Sequence, residues 1–251
     1  MTIQKVYRQL VADFKTHITG STIVGVAYGY WGVFHQGMSL ESGILAGGLC
    51  SVAGMLPDLD SDSGIPLRET SMFGSAVVPM LMIDRFRAME LSPEAMALAA
   101  MVIYLTIRFV VVEIFRRYTV HRGMWHSIPA AATVGVLAYL VMPCPSEAVR
   151  IYKSLAVTTG FIVHLLLDEL WSLDFRRGRF RLKKSFGTAM KFWGDDPWAN
   201  ISVYAKLALV VYLAWGDTDI STRLRERARR EIPYMATPQD EMPAWRKWLQ
   251  R

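Results

Sequence analysis

Residues 154–169 read SLAVTTGFIVHLLLDE. From Ser154 to Leu167 the run has no formally charged side chain, yet it carries His164 and is closed by Asp168 and Glu169. A segment this apolar belongs in a bilayer, and ionisable groups brought into or beside hydrocarbon are costly enough to read as functional. On a helix, His164 and Asp168 stand at i and i+4, so both project from one face about 5–6 Å apart. An imidazole and a carboxylate so placed can share one metal ion or bind adjacent ones. The stretch therefore predicts a helical membrane protein with a polar site at the end of a span.

The rest of the chain follows the same pattern. Thr16 to Leu40 contains no Asp, Glu, Lys or Arg, and neither does Ser42 to Pro57. These read as two membrane helices joined at His35-Gln36-Gly37. Thr70 to Ile83 is a third uncharged run, about 21 Å long as a helix and short for a bilayer core of about 30 Å. Ala95 to Phe115, despite Arg108 and Glu113, and Gly123 to Ser146 are the fourth and fifth spans, and Ser154 to Leu167 is the sixth. Ile201 to Gly216, interrupted by Lys206, reads as an interfacial segment. Among 251 residues, 52% are hydrophobic and 20% charged, with mean hydropathy +0.23, which excludes disorder and fits poorly with a simple soluble domain. The expected fold is all-α: a polytopic helical integral membrane protein of about six spans plus an interfacial segment. Residues 1–216 form its membrane domain and residues 217–251 a basic C-terminal arm.

With six crossings, one face collects fourteen Lys and Arg residues: Lys5, Arg8, Lys15, Arg68, Arg116, Arg117, Arg122 and the seven from Arg176 to Lys191. The other face collects four: Arg85, Arg87, Arg150 and Lys153. The richer face is expected in the cytoplasm of a bacterial inner membrane, with the N-terminus and the basic tail. This bias also accounts for the net charge of +6, so nucleic acid is not an expected partner. No cleavable signal is convincing, because the first apolar run lacks a small-residue cleavage site. Cys50 and Cys144 lie far apart in apolar surroundings and read as packing, not as a disulfide or a CxxC metal site.

Four polar clusters interrupt the apolar chain: Thr16-His17-Ile18-Thr19-Gly20, Pro57-Asp58-Leu59-Asp60-Ser61-Asp62-Ser63-Gly64, His121-Arg122-Gly123-Met124-Trp125-His126-Ser127, and His164 to Asp168. The alternating topology brings all four to the fourteen-residue face. A lone histidine at a membrane boundary is usually interfacial, and a lone aspartate after proline is usually a turn or cap. Four of the five histidines nevertheless fall in these clusters, which favours a metal site; His35, on the opposite face, reads as structural. Asp58 and Asp60, at i and i+2 in an extended segment, point to opposite sides unless the backbone turns. His121 and His126 can converge from a loop that ends at Ser127, an N-cap with Pro129 in the first helical turn. Asp58, Asp60, Asp62 and Glu69 also match positions 1, 3, 5 and 12 of a calcium loop, but the glycine falls at position 7 instead of 6. Arg122 suits an anionic substrate group, or a purely structural partnership with an aspartate.

Taken together, His17 with Gly20, Pro57-Asp58-Leu59-Asp60, His121-Arg122-Gly123 with His126-Ser127, and His164 with Asp168 resemble the bacterial family of membrane-bound, LexA-regulated metal-dependent hydrolases over residues 14–175. More distantly the set is similar to zinc-dependent phospholipase C and P1-type nucleases. The resemblance implies a helical membrane hydrolase with metal ligands at His17, Asp58, His126, His164 and Asp168. It implies roles for Asp60, His121 and Arg122 less directly. Trp125, where a small or hydroxyl residue is expected, and the long basic region after Leu173 depart from the pattern and bear on substrate size and access.

The chemistry expected from such a site is hydrolysis of a phosphoester in a lipid or lipid-linked substrate. One or two divalent ions, zinc foremost with manganese or magnesium as alternatives, would activate water. Asp60 or His121 would take the proton and Arg122 would face the developing charge. The expected partners are membrane lipids and an amphiphilic substrate. The rival readings are a divalent metal-ion transporter or channel, which needs polar residues through the membrane interior, and a structural protein whose polar clusters satisfy one another.

Overall fold

A computed structural model describes residues 14–60, 65–114, 123–144, 146–176, 179–182, 189–217, 222 and 226. Helix α1 (Phe14–His35) ends where Gly37, at φ +67°, reverses the chain, and the Gln36 and Met38 amides reach back to the Gly32 carbonyl at 3.2 and 3.0 Å. That left-handed backbone is one glycine adopts at little cost. Ser39 then caps α2 (Leu40–Ala53), its hydroxyl accepting from the Ser42 amide. The two helices pack at close range because glycines face each other. A Cβ on Gly25 would come within 2.4 Å of the Gly47 carbonyl oxygen, and one on Gly29 within 2.6 Å of that of Gly43. Small residues four apart let helices approach in lipid, where no hydrophobic force draws them together.

A 3-10 turn (Pro57–Asp60) leads to α3 (Ile65–Leu81), the short α4 (Ile83–Ala88) and α5 (Pro93–Ile114). Within α5 the stretch Thr106–Val111 is π-helical and contains Arg108, whose guanidinium donates to Ser71 of α3 at 3.3 Å. Helix α6 (Ile128–Val141) begins at the expected cap: Ser127 accepts from the Ala130 amide, and Pro129 lies in the first turn. Helix α7 (Glu147–Trp171) is the axis of the molecule, burying Arg150, Ser154, Val157, Phe161, His164 and Leu165 along its length. Phe161 and Leu165 pack with Ala53 of α2 and with Ala130, Ala131 and Val134 of α6, while Tyr152 and Ala156 pack with Ala46 and Cys50. The stripe that builds the core is thus the stripe that carries His164. After an antiparallel ribbon, β1 (Leu173–Arg176) with β2 (Arg179–Leu182), the last helix is α8 (Pro197–Gly216).

The helical architecture is the expected one, with four differences. First, Ile201 to Gly216 does not lie apart as an interfacial segment. Helix α8 packs along α6 and runs from the side of Lys191, whose carbonyl accepts from the Ile128 amide at the start of α6, to Asp217. Asp217 is bonded to Arg85 and to Arg150, at the far end of the bundle from His164. With Pro93–Ile114 and Glu147–Trp171, α8 is one of three helices among the described residues long and apolar enough to cross a membrane. Lys206 does not prevent this, because a long basic side chain can lay its stem on apolar surface. Trp198 and Trp215, 78% and 85% exposed, stand about 26 Å apart near the two ends of α8. Second, α2 and α6 have 14 residues each, so each is only about 21 Å long. Third, Asp58 and Asp60 sit in a 3-10 turn instead of an extended strand. Fourth, Cys144 is only partly buried, in the connection between α6 and α7, whereas Cys50 is buried in α2 as expected.

Candidate metal centre

The starts of α1 and α6 and the ends of α2 and α7 meet at one end of the bundle. His17 stands on the first turn of α1, Asp58 on the 3-10 turn after α2 and His126 in the loop before α6. His164 and Asp168 occupy the last two turns of α7. These five residues, dispersed over 152 positions of sequence, converge. His164 Nε2 lies 3.6 Å from Asp58 Oδ1 and 3.6 Å from Asp168 Oδ2. His17 Nε2 is 3.3 Å from Asp168 Oδ1, and His126 Nε2 is 4.0 Å from Asp168 Oδ2. Two overlapping triads, His17–Asp58–His164 and His126–His164–Asp168, each bring their ligand atoms within 4.8 Å of one another. Such separations are long for N–H···O bonds, which centre near about 2.9 Å. They bracket the edge of about 3.4 Å expected between donors held about 2.1 Å from a zinc ion.

The surroundings orient these donors. Nδ1 of His164 is 2.7 Å from the Gly54 carbonyl oxygen, a bond that requires the proton on Nδ1 and leaves the Nε2 lone pair facing the carboxylates. Among the described residues that Nε2 has no hydrogen-bond partner, and neither does His17 Nδ1. The His17 and His164 rings stack with centroids 3.7 Å apart and planes 16° apart. With neutral imidazoles the five side chains carry a charge of −2 in a site where the histidines are 2%, 1% and 0% exposed. An uncompensated pair of carboxylates there is expensive, and a divalent cation cancels it. The donor set, its charge and the orphaned Nε2 therefore fit a divalent metal ion.

A supporting layer holds the ligands in place. Ser21, fully buried, donates to the carbonyls of His17 at 2.7 Å and Ser51 at 3.0 Å, tying the start of α1 to the end of α2. Gly54 is bound into the same contact, since a Cβ there would lie 2.2 Å from the Ser21 hydroxyl. Trp125 donates to the Leu56 carbonyl at 2.9 Å and meets Phe161 edge to face, pinning the loop that carries His126. The departure at Trp125 thus has a packing role. The Gly54 and Leu56 carbonyls were not legible in the sequence, because a main-chain acceptor leaves no side-chain signature.

Of the remaining predicted site residues, Asp60 closes the 3-10 turn, and its side chain, together with His121 and Arg122, lies outside the described residues. Asp58 turns its carboxylate to the histidines, which argues against the calcium-loop pattern. His35 is exposed at the opposite end of α1, away from the cluster. A family model described as YdjM inner membrane protein matches residues 13–222, a span that contains every ligand named above. Comparisons with curated proteins and with solved structures return no match.

Proposed function

The chain belongs to the YdjM inner membrane protein family, and on that footing we propose that it is a membrane-embedded, metal-dependent hydrolase of a phosphoester carried by a lipid or lipid-linked molecule. The observation that carries this reading is the convergence of three buried imidazoles and two carboxylates at the end of the bundle, with the His164 tautomer fixed by Gly54. His17, Asp58, His126, His164 and Asp168 would hold one or two divalent ions. Mixed nitrogen and oxygen donors suit zinc, with manganese or magnesium as alternatives. A bound ion of this kind lowers the pKa of its water toward about 7 and stabilises phosphoryl oxygens.

The chain's own residues supply the remainder. Gly54 keeps the His164 lone pair directed into the site, Asp168 turns one oxygen to His17 and the other to His126 and His164, and Trp125, bonded to the Leu56 carbonyl, holds the loop that carries His126. From the sequence, Asp60 or His121 would be the proton acceptor for the activated water, and Arg122 would offset charge developing on the phosphoryl group. The transport alternative has less support, because the cavity along α3, closed toward the cluster's end by Leu56, Leu59 and Trp125, is almost wholly apolar and offers a cation few ligands.

In this proposal the metal end faces the cytoplasm. With α8 crossing, residues 217–251 join the far side, and Arg223, Arg225, Arg227, Arg229 and Arg230 raise its count of nearby basic residues from four to nine. The metal end still holds fourteen, so the positive-inside bias keeps its direction. The expected topology is then seven crossings with the two termini on opposite sides. The test of function is a screen of phosphoester lipids with the detergent-purified, zinc-loaded protein. Release of phosphate or a phosphorylated headgroup, abolished by His164→Ala, supports the reading; no turnover of any phosphoester by metal-replete protein overturns it.

A further inference from the structure

A cavity of about 280 Å³ opens between α2, α3, α5 and α6. One end is walled by Leu56, Leu59 and Trp125, the neighbours of Asp58 and His126, and the other by Leu81, Val141 and Met142. Between these ends α3 presents a continuous stripe, Leu67, Thr70, Gly74, Val77 and Leu81, about 21 Å long. That exceeds the depth of about 15 Å that the hydrocarbon of one leaflet occupies in a bilayer core of about 30 Å. The walls are almost wholly apolar, and the volume falls just below the about 300–1,000 Å³ of ordinary ligand pockets, enough for one narrow occupant. Phe73, Val111 and Leu137 line the cavity and are also exposed, so it communicates sideways with the membrane.

Two further observations point to a ligand. The Thr70 hydroxyl, on the cavity wall near the metal end, is buried and has no hydrogen-bond partner among the described residues. A helical threonine ordinarily satisfies its hydroxyl on the preceding turn. Gly74, at the middle of the stripe, faces open space, since a Cβ there would meet nothing within 4 Å. In a tightly packed interior a void of this size forfeits dispersion contacts along its whole lining.

We propose that this cavity is the binding site for one hydrocarbon chain of a phosphate-bearing membrane lipid. The chain enters sideways and lies along α3, its headgroup rests at the His–Asp cluster, and Thr70 donates to an ester carbonyl near the head of the chain. The inference deepens the hydrolase reading and rests on it only in treating the bound lipid as the substrate.

The test uses the full chain in nanodiscs of phosphatidylethanolamine and phosphatidylglycerol, doped with phosphatidic acid that carries a diazirine midway along one acyl chain. Photolabelling should mark residues 67–81 and 134–142, and Gly74→Phe should reduce that labelling at least fivefold. His35→Ala should leave the labelling as it is, the labels on the outward-facing Leu98 and Met101 should not change, and metal content should be equal in all three proteins. If Gly74→Phe fails to fold, Ala138→Trp fills the same cavity and serves instead. Labels confined to the outer faces, or inner labels indifferent to a folded, metal-replete cavity-filling variant, overturn the proposal. Labelling that responds to Gly74→Phe in a protein without turnover keeps the chain site and removes the hydrolase reading. Turnover indifferent both to acyl length and to Gly74→Phe does the reverse.

Discussion

His164 shows how a single side chain can unite sequence, packing and chemistry. It sits on the buried face of α7, its Nδ1 is committed to Gly54, and its Nε2 stands 3.6 Å from each of two carboxylates. His164→Ala should remove at least one equivalent of bound metal and abolish turnover while the protein still inserts, as elemental analysis and a membrane-extraction assay would show. A weaker perturbation is Gly54→Ala, whose methyl would press on the Ser21 hydroxyl. It should lower metal affinity by about 10–100-fold, the range seen when an outer partner of a ligating histidine is disturbed, measurable by competition with a chelating dye. His35→Ala should change neither quantity, because that side chain is exposed at the other end of α1. The five converging residues were legible in the sequence because each interrupts or borders an apolar run, where a titratable group is conspicuous. Their supporting partners were not, since the Gly54 and Leu56 carbonyls act through the main chain.

At the scale of elements, two devices position the site. The first is the glycine contact between α1 and α2, with Gly25 against Gly47 and Gly29 against Gly43, which keeps His17 and the end of α2 within reach of α7. Gly29→Leu should force these helices apart, at a cost of about 1–3 kcal/mol typical of overpacking, visible as a lowered thermal midpoint in detergent with reduced metal content. The second lies at the opposite end, where Asp217 receives Arg85 at 2.9 Å and also Arg150, whose guanidinium lies 3.6 Å from the centre of the Tyr139 ring. Burial alone would raise the carboxyl pKa of Asp217, but the hydrogen bonds from the two guanidinium groups and their positive charge hold it below the usual range. A depressed native pKa stabilises the fold above the unfolded value of about 3.9, and this contribution is lost as pH falls through the native value. The gap in thermal midpoint between wild type and Asp217→Asn should therefore stay constant above about pH 5 and close in stronger acid. This clamp is the feature of the last helix that its sequence did not reveal. Lys206 and a marginal apolar run made α8 look interfacial, whereas its register is fixed by a partnership between Asp217 and residues 67 and 132 positions earlier, which no local pattern reveals.

For the whole molecule, the chain reads as a bundle whose helices run between a metal end and an arginine-clamped end. Helical class and membrane character were plain from the apolar blocks. The number of crossings was not, because four of the runs are near the length limit and composition cannot say whether a short helix tilts, thins the bilayer or stops. With α8 running from the metal end to the clamp, a reporter active only outside the cytoplasm, fused after Glu226, should be active, and one fused in the 176–191 region should be silent. The reverse pattern would invert the orientation, and silence at both positions would return α8 to the interface.

The central claim is that His17, Asp58, His126, His164 and Asp168 bind a divalent ion together. Elemental analysis of the gently extracted, detergent-purified protein alongside His164→Ala and Asp168→Ala tests it most directly. The account predicts one to two equivalents of zinc, manganese or magnesium in the wild type and the loss of at least one in each variant. A wild-type protein without stoichiometric metal, or variants that retain the full complement, would contradict it.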